Sequence, residues 1–280
     1  VRLTDLSFDY AVDDALPLKT YRELMTTDLR HRRSFVTLHL VGSHFPFNYQ
    51  DTADTFFPNI KRPEATAPSA PRPLQMYELR REATQQRLDE IGNSYDNSLR
   101  HIDSAVRQVV QVLADLEILE DSVVILTSDH GESLGEHSTL FHGQTLYEEQ
   151  VHVPLMMRVG SDHPETAERL SSRRHGIAGQ IDLMPTVHQL LVPSSPPPSA
   201  FQGQSWLQSA NKEFELLLYR GIGGQAAVVT RQSKYIYDRV GRRAEYFDLQ
   251  SDPSEEVNLW PRQTSGSRAA AFLAEIKRQH

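Results

Sequence analysis

The sequence predicts an α/β fold with a small antiparallel β subdomain at its carboxyl end, and three observations carry that expectation. A long amphipathic helical stretch leads into the continuous apolar run Ser122-Val123-Val124-Ile125-Leu126-Thr127. A second apolar run from Pro154 to Val159, followed by a second amphipathic helix, repeats the helix and strand alternation. Beyond a Pro/Ser-rich stretch the pattern changes to short β segments. Helix followed by buried strand is the α/β unit, whereas closely spaced short strands mark an antiparallel meander.

Taken in chain order, the polar opening becomes helical around Leu18 to Thr27. Ser34-Phe35-Val36-Thr37-Leu38-His39-Leu40 is short and β-branched, lies between Arg32-Arg33 and Gly42, and is expected to be a buried strand. Residues 45 to 75 carry Pro63, Pro68, Pro71 and Pro73 with no apolar period, the composition of a long irregular excursion. From Met76 the pattern is helical, and Ile102, Val106, Val109, Val110, Leu113 and Leu116 form one apolar stripe, with the helix ending near Asp121. The run 122–127 has no polar alternation, as in a strand of a parallel sheet covered on both faces. Leu183 to Leu191 is amphipathic and stopped by Pro193. Residues 193–200 cannot form helix or central strand and are expected to be a linker between a core at 1–192 and a β-rich subdomain at 201–280. There the strands are Leu216–Tyr219, Ala226–Thr230, Lys234–Tyr237 and Glu245–Leu249, the last three as a meander. No internal repeat is visible.

At 280 residues the chain is long enough for a sizeable core, and 39% hydrophobic with 24% charged residues is a globular composition. Lys plus Arg total 29 against 37 for Asp plus Glu, a formal charge of -8, which argues against a nucleic-acid partner. With no Cys there is no disulfide, thiolate metal site or cysteine nucleophile. No stretch approaches the roughly 18 apolar residues of a membrane helix, and the chain begins with Val, as a processed form or a piece of something longer would.

Chemistry concentrates where the buried strand ends, in Ser128-Asp129-His130-Gly131-Glu132-Ser133-Leu134-Gly135-Glu136, with His142 in Phe141-His142-Gly143. Ligands of an open sheet bind beyond the carboxyl ends of its strands, which places Asp129 and His130 at a site. A carboxylate with an imidazole suits Zn²⁺ or Mn²⁺ better than Ca²⁺ or Mg²⁺. The bland alternative is that Asp129 caps a turn and His130 packs. Gly131, which permits a tight turn, the acidic Glu132 and Glu136, and the return of His142 favour metal. A second cluster, His39-Leu40-Val41-Gly42-Ser43-His44-Phe45-Pro46, follows the first strand. His44, past the strand and beside Gly42, suits a general acid for a leaving oxygen; His39 either packs in the strand or meets an anionic substrate. Of the basic residues, the clusters at Arg30, Arg32, Arg33 and at Arg239, Arg242, Arg243 are expected to be solvated, whereas Lys234 could approach an anionic substrate. His152, His163, His175 and His188 are expected on the surface or in packing, and Trp206 and Trp260 in packing.

Asp129-His130-Gly131-Glu132 followed by His142-Gly143, then Tyr147-Glu148-Glu149 and Val153-Pro154-Leu155, resembles the sulfatase and phosphoethanolamine transferase group of the alkaline phosphatase superfamily. Gly42-Ser43-His44 with Pro46 is similar to a segment of the phosphoethanolamine transferases, with Phe45 in place of a glycine. Tyr95-Asp96-Asn97-Ser98 with Asp103 resembles the helix before the metal-binding strand. Ile181-Asp182-Leu183-Met184-Pro185-Thr186, and Tyr246-Phe247-Asp248-Leu249 with Asp252-Pro253 and Asn258-Leu259, look like sulfatase signatures.

The resemblance implies an alkaline-phosphatase-like three-layer α/β/α sandwich and a divalent metal, Zn²⁺ or Mn²⁺ first, held by Asp129 and His130. It implies catalytic roles for His44 and His142, with His39, Glu132 and Lys234 toward substrate. The expected activity is hydrolysis of sulfate or phosphate esters. The alternatives are phosphoethanolamine transfer to a lipid or glycan, and a non-catalytic binding domain. The implied partner is a small anionic ester or a lipid or glycan headgroup, and the implied location is the periplasmic face of a bacterial inner membrane, with membrane contact only through a segment outside this chain. The group also uses a further acidic ligand and a Thr, Ser or formylglycine nucleophile, both N-terminal to the histidine-bearing strand. Here only Val1 to Arg33 precede that strand, and the nearest imitation of the formylglycine motif, Ser69-Ala70-Pro71-Arg72, has its Arg one place early. The expectation is therefore a chain carrying the C-terminal two-thirds of the fold, inactive by itself.

Overall fold

A computed structural model describes residues 14–27, 29, 33–45, 47, 55–60, 84–208, 215–218 and 224–260, with 215–218 as backbone only. Ser69–Arg72, Arg30, Arg32 and the helical pattern from Met76 to Ala83 lie outside these residues. The chain divides into two compact units, residues 1–122 with 138–141, and residues 123–137 with 142–280.

In the first unit, α1 (Ala15–Thr26) buries Pro17, Tyr21 and Met25, a four-residue spacing that aligns them on one face. That face packs on α2 (Gln85–Asp115), whose first turn is capped by the Thr84 hydroxyl accepting from the Arg87 amide. The expected stripe of α2 is half-buried to buried along its length, and the helix stops at Asp115, with turns from Leu116 to Asp121. Asn97 has a role that the apolar stripe does not predict. Its Oδ1 accepts from the amides of Thr55 and Phe56 at 2.8 and 3.0 Å, its Nδ2 donates to the Phe56 carbonyl, and Ser94 Oγ accepts from the Ile60 amide. Part of the irregular excursion is thereby pinned to the helix.

Residues 33–41 depart from expectation. They join no sheet among the described residues, and they alternate between exposed and half-buried positions, so the β-branched run has the strand's side-chain period without a described ladder partner. The following turn is fixed instead by Asp14, a buried carboxylate that accepts from the amides of Val41 (2.9 Å) and Gly42 (3.2 Å). Rings of Phe45, Phe47, Tyr95 and Phe141 pack around it, the last from β3 (Leu140–Phe141).

In the second unit, β1 (Val123–Thr127) pairs with β4 (Leu155–Val159), and the ladder is antiparallel, running from Val123 opposite Val159 to Thr127 opposite Leu155. This corrects the parallel, doubly covered strand expected from the apolar run. Among the described residues β1 is half-exposed throughout, and in β4 Met156 remains 56% exposed. Between β1 and β4 the unit also holds the two-residue strand β2 (Ser133–Leu134) and the short helix α3 (Glu148–Val151). Helices α4 (Pro164–Ser171) and α5 (Leu183–Leu191) follow, and residues 193–200 have no regular structure. The expected meander is a four-stranded antiparallel sheet, β5 (Glu215–Leu218), β6 (Gln225–Val229), β7 (Ser233–Asp238) and β8 (Arg243–Asp248), in that order. Ala227, Ile236 and Phe247 from this sheet share a core with Leu146 and are flanked by Tyr147 and Val151. That core joins residues from both sides of the Pro-rich stretch.

Candidate active site

Beyond β1 the chain folds on itself through short polar contacts. Ser128 Oγ donates to the His130 carbonyl at 2.6 Å, and Asp129 Oδ1 accepts from the His130 amide at 3.1 Å. Gln180, just ahead of α5, donates its Nε2 to the carbonyls of Ser128 and Asp129. The turn leaves the Asp129 side chain 68% exposed, with Oδ2 3.7 Å from His130 Nε2. His130 Nδ1 lies 2.9 Å from the Gly131 carbonyl, which can only accept, so Nδ1 carries the proton and the lone pair is on Nε2. An imidazole fixed this way, beside an exposed carboxylate, fits two donor positions for a divalent ion. Among the described residues no third His, Asp or Glu joins them in a metal-holding group.

His142 comes to the same place. Its ring stacks on that of His130 with centroids 3.9 Å apart, and its Nδ1 is 3.1 Å from Oε1 of Glu132, whose side chain is only 6% exposed. The carboxylate accepts from Nδ1 and again leaves the lone pair on Nε2. Asp129, His130, Glu132 and His142 are therefore brought together in the second unit. His44 and His39 belong to the first unit: His44 donates through Nδ1 to the Phe45 carbonyl at 2.7 Å in the Asp14-held turn, and His39 is exposed and not packed in a strand.

Lys234 is not at this surface. It is fully buried, and its ammonium reaches the carboxylates of Glu148 and Glu255 and the carbonyl of Leu146. A substrate contact is thereby replaced by an internal ion cluster. Its partner Glu255 also accepts from the Glu148 amide. His152 pairs with Glu148 at 2.7 Å. Burial raises the Glu148 carboxyl, but the His152 hydrogen bond and the Lys234 charge outweigh it and hold it down to about 2. His137 faces the Glu149 carboxylate with Nδ1 and the Glu255 carbonyl with Nε2, both acceptors, and stacks on Tyr147 at 3.7 Å. Burial alone would lower its pKa; those two hydrogen bonds raise it above the ordinary value. Gln180, Glu255 and the buried Gln150 are the residues that sequence reasoning missed. Glu255 lies just past the Asp252-Pro253 signature, and Gln180 directly precedes the Ile181-Asp182 one.

An α/β scaffold with an aspartate, two stacked histidines and a supporting glutamate just past a strand's carboxyl end is the class that this geometry defines. The chain belongs to the Sulfatase family, whose sequence profile matches residues 4–192. It is 26% identical over 194 residues to arylsulfatase K of Canis lupus familiaris, covering 63% of this chain and 35% of that protein. It is also 26% identical over 133 residues to phosphoethanolamine transferase EptA of Salmonella typhimurium, covering 46% and 22%. Among solved structures, the 2-O GAG sulfatase BT1596 superposes with a TM-score of 0.67 at 15% identity, covering 100% of this chain and 65% of the other. The sulfatase fold of that structure is the alkaline-phosphatase-like α/β class expected from the sequence. The chain thus spans about a third of the arylsulfatase it matches.

Proposed function

We propose that this chain is part of a metal-dependent sulfatase-family hydrolase acting on sulfate or phosphate esters, with Asp129 and His130 as metal ligands. The observation that carries the reading is the Asp129 and His130 pair beyond β1, with His130 Nδ1 bonded to a carbonyl, within a Sulfatase-family match. A divalent ion, Zn²⁺ or Mn²⁺ first, would supply charge stabilisation for the oxygens of the transferred group. The protein's own contribution begins with His142. With Nδ1 held by Glu132, its Nε2 exchanges a proton at the ester oxygen, and Glu132 fixes the tautomer and stabilises the imidazolium. His44, its Nδ1 committed to the Phe45 carbonyl, is assigned proton donation to a leaving oxygen through Nε2. His39, exposed, is left as a contact for substrate anionic groups.

A phosphoethanolamine transferase is the second reading, favoured by Gly42-Ser43-His44 and by the EptA similarity. By that resemblance we place the protein at the periplasmic face of a bacterial inner membrane. Among the described residues no helix is long and apolar enough to cross a membrane.

The test is metal analysis of the purified gene product by native mass spectrometry, followed by assays on an aryl sulfate, a phosphate monoester and a phosphodiester. Bound Zn²⁺ or Mn²⁺ that Asp129→Ala releases, with the sulfate ester turned over fastest, is the expected result. Ethanolamine-phosphate transfer from phosphatidylethanolamine without sulfate hydrolysis would install the second reading. No retained metal and no turnover would leave a binding domain.

A further inference from the structure

Gln150 sits in the four-residue helix α3, is 4% exposed, and makes all its polar contacts inside the protein. Its Oε1 accepts from the amides of Gln144 and Thr145 at 3.2 and 3.3 Å. Both are donors only, so the oxygen must face them, and Nε2 is thereby directed at Ser133 Oγ, 2.7 Å away. Its main-chain carbonyl accepts from the Gly131 amide at 2.9 Å. One residue therefore grips the peptide next to His130 with its backbone, the segment two residues past His142 with one end of its amide, and Ser133, next to Glu132, with the other.

We infer that Gln150 is a positioning residue that sets the spacing and tilt of the His130 and His142 rings. The stack of 3.9 Å at 29° joins side chains from two separate segments. Only Gly143 lies between His142 and the bonded Gln144 amide, and its φ of 79° is a conformation that needs an external hold to be unique. A hydrophobic side chain at 150 would remove the acceptor shared by the part-buried Gln144 and Thr145 amides and leave Ser133 Oγ with only its 3.4 Å contact to Glu149, and the two segments would separate. A carboxylate would not, because the two amides still donate to it and the Ser133 hydroxyl turns its one proton from the 3.4 Å Glu149 contact to the nearer carboxylate.

The inference rests on the reading of these histidines as site residues, and the experiment separates the two. In the full-length gene product, histidine ring proton resonances of His142 are followed by NMR, with His130→Ala defining the unstacked position. Gln150→Leu moves the His142 signals most of the way to that position, and Gln150→Glu leaves them near wild type. Should Gln150→Leu not fold, Ser133→Ala gives a smaller displacement in the same direction. Ring signals unchanged in a folded Gln150→Leu or in Ser133→Ala overturn the inference, and so does a Gln150→Glu displacement as large as that of Gln150→Leu. On an aryl sulfate, Gln150→Leu lowers kcat about 10- to 100-fold with KM little changed, the consequence of ångström-scale misplacement. Displaced rings with an undiminished kcat would keep the positioning role and remove the catalytic one from the histidines.

Discussion

Lys234 Nζ lies 2.9 Å from Glu255 Oε1, and neither side chain is exposed to solvent. The same ammonium binds Glu148, so one cation from β7 answers two carboxylates, one opening α3 and one in the C-terminal signature region. Around it the segment 146–149 is held residue by residue. Lys234 binds the Leu146 carbonyl, Glu245 accepts from the Tyr147 hydroxyl, Glu255 accepts from the Glu148 amide, and His137 meets Glu149. Since α3 carries Gln150, the C-terminal sheet anchors the element that grips both histidine segments.

Removing the cation leaves two facing carboxylates, Glu255 fully buried and Glu148 with 22% of its side chain exposed. Lys234→Met is expected to cost about 3–5 kcal/mol, measured by urea unfolding. Lys234→Met with Glu255→Gln should recover part of that loss, because one uncompensated charge goes. A single variant within about 1 kcal/mol of wild type would show the cluster to be inconsequential.

The ion pairs also set opposite pH limits. Glu148 titrates near 2 in the fold against an ordinary value of 4.5, so its contribution is complete above about 4.5 and is lost as pH falls toward 2. Glu255, raised from 4.5 chiefly by burial, has the opposite slope: from about 4.5 upward it loses stability as pH rises through its folded pKa. His137 is raised from 6.5, so its contribution is complete below that value and is lost as pH rises through the folded pKa. Unfolding free energies measured across the acid and alkaline ranges should fall at both ends. Glu148→Gln should flatten the acid limb and, because the Glu148 hydrogen bond also raises His152, soften the alkaline one, whereas His137→Gln should flatten the alkaline limb alone. A His137→Gln profile parallel to wild type above pH 6.5 would contradict the assignment.

These electrostatics had no counterpart in the sequence, whereas much of the scaffold did. The stripe on α2, the apolar runs of β1 and β4, α5 before Pro193 and the meander are local patterns, and among the described residues each formed within a few residues of its expected bounds, α2 ending at Asp115 and not near Asp121. That Asp129, His130 and His142 lie close together was legible because a strand end, a glycine and a second imidazole fall within one short stretch. The Glu148 to Glu255 contact joins residues 107 apart, and no local period records such a pairing. Lys234 looked like a substrate contact because a lone Lys in a strand has the same sequence signature whether it points outward or is buried between carboxylates. Residues 34–40 misled for a related reason: alternation and β-branching specify a side-chain period, and a ladder partner is a tertiary matter.

Asp14 is expected to control the turn that carries His44. Its two carboxylate oxygens accept from the adjacent amides of Val41 and Gly42, and the His44 amide in turn donates to the Val41 carbonyl at 3.0 Å. Asp14→Asn keeps the shape but turns an NH₂ toward one of those amides, at a cost of about 1–3 kcal/mol. Amide proton exchange at Val41 and Gly42 should accelerate well beyond the change at α2, as a locally loosened turn requires. Exchange unchanged at both positions would show that the turn is held by the aromatic rings alone.

Gly131 offers the sharpest steric test of the site. A Cβ there would lie 2.1 Å from the Glu149 carbonyl oxygen and 3.3 Å from the Gln150 Cα, both backbone atoms that cannot swing aside. The close approach is what lets the Gly131 amide reach the Gln150 carbonyl at 2.9 Å. Gly131→Ala must therefore push α3 from the His130 turn and break that bond, with an expected loss of about 2–4 kcal/mol. Because the displaced element also holds Gln144 and Thr145, metal retention and aryl sulfate turnover should fall together with stability. The measurement is thermal unfolding alongside metal content. An alanine variant as stable as wild type, with metal retained, would mean that α3 and the His130 turn do not pack as closely as their backbone contact requires.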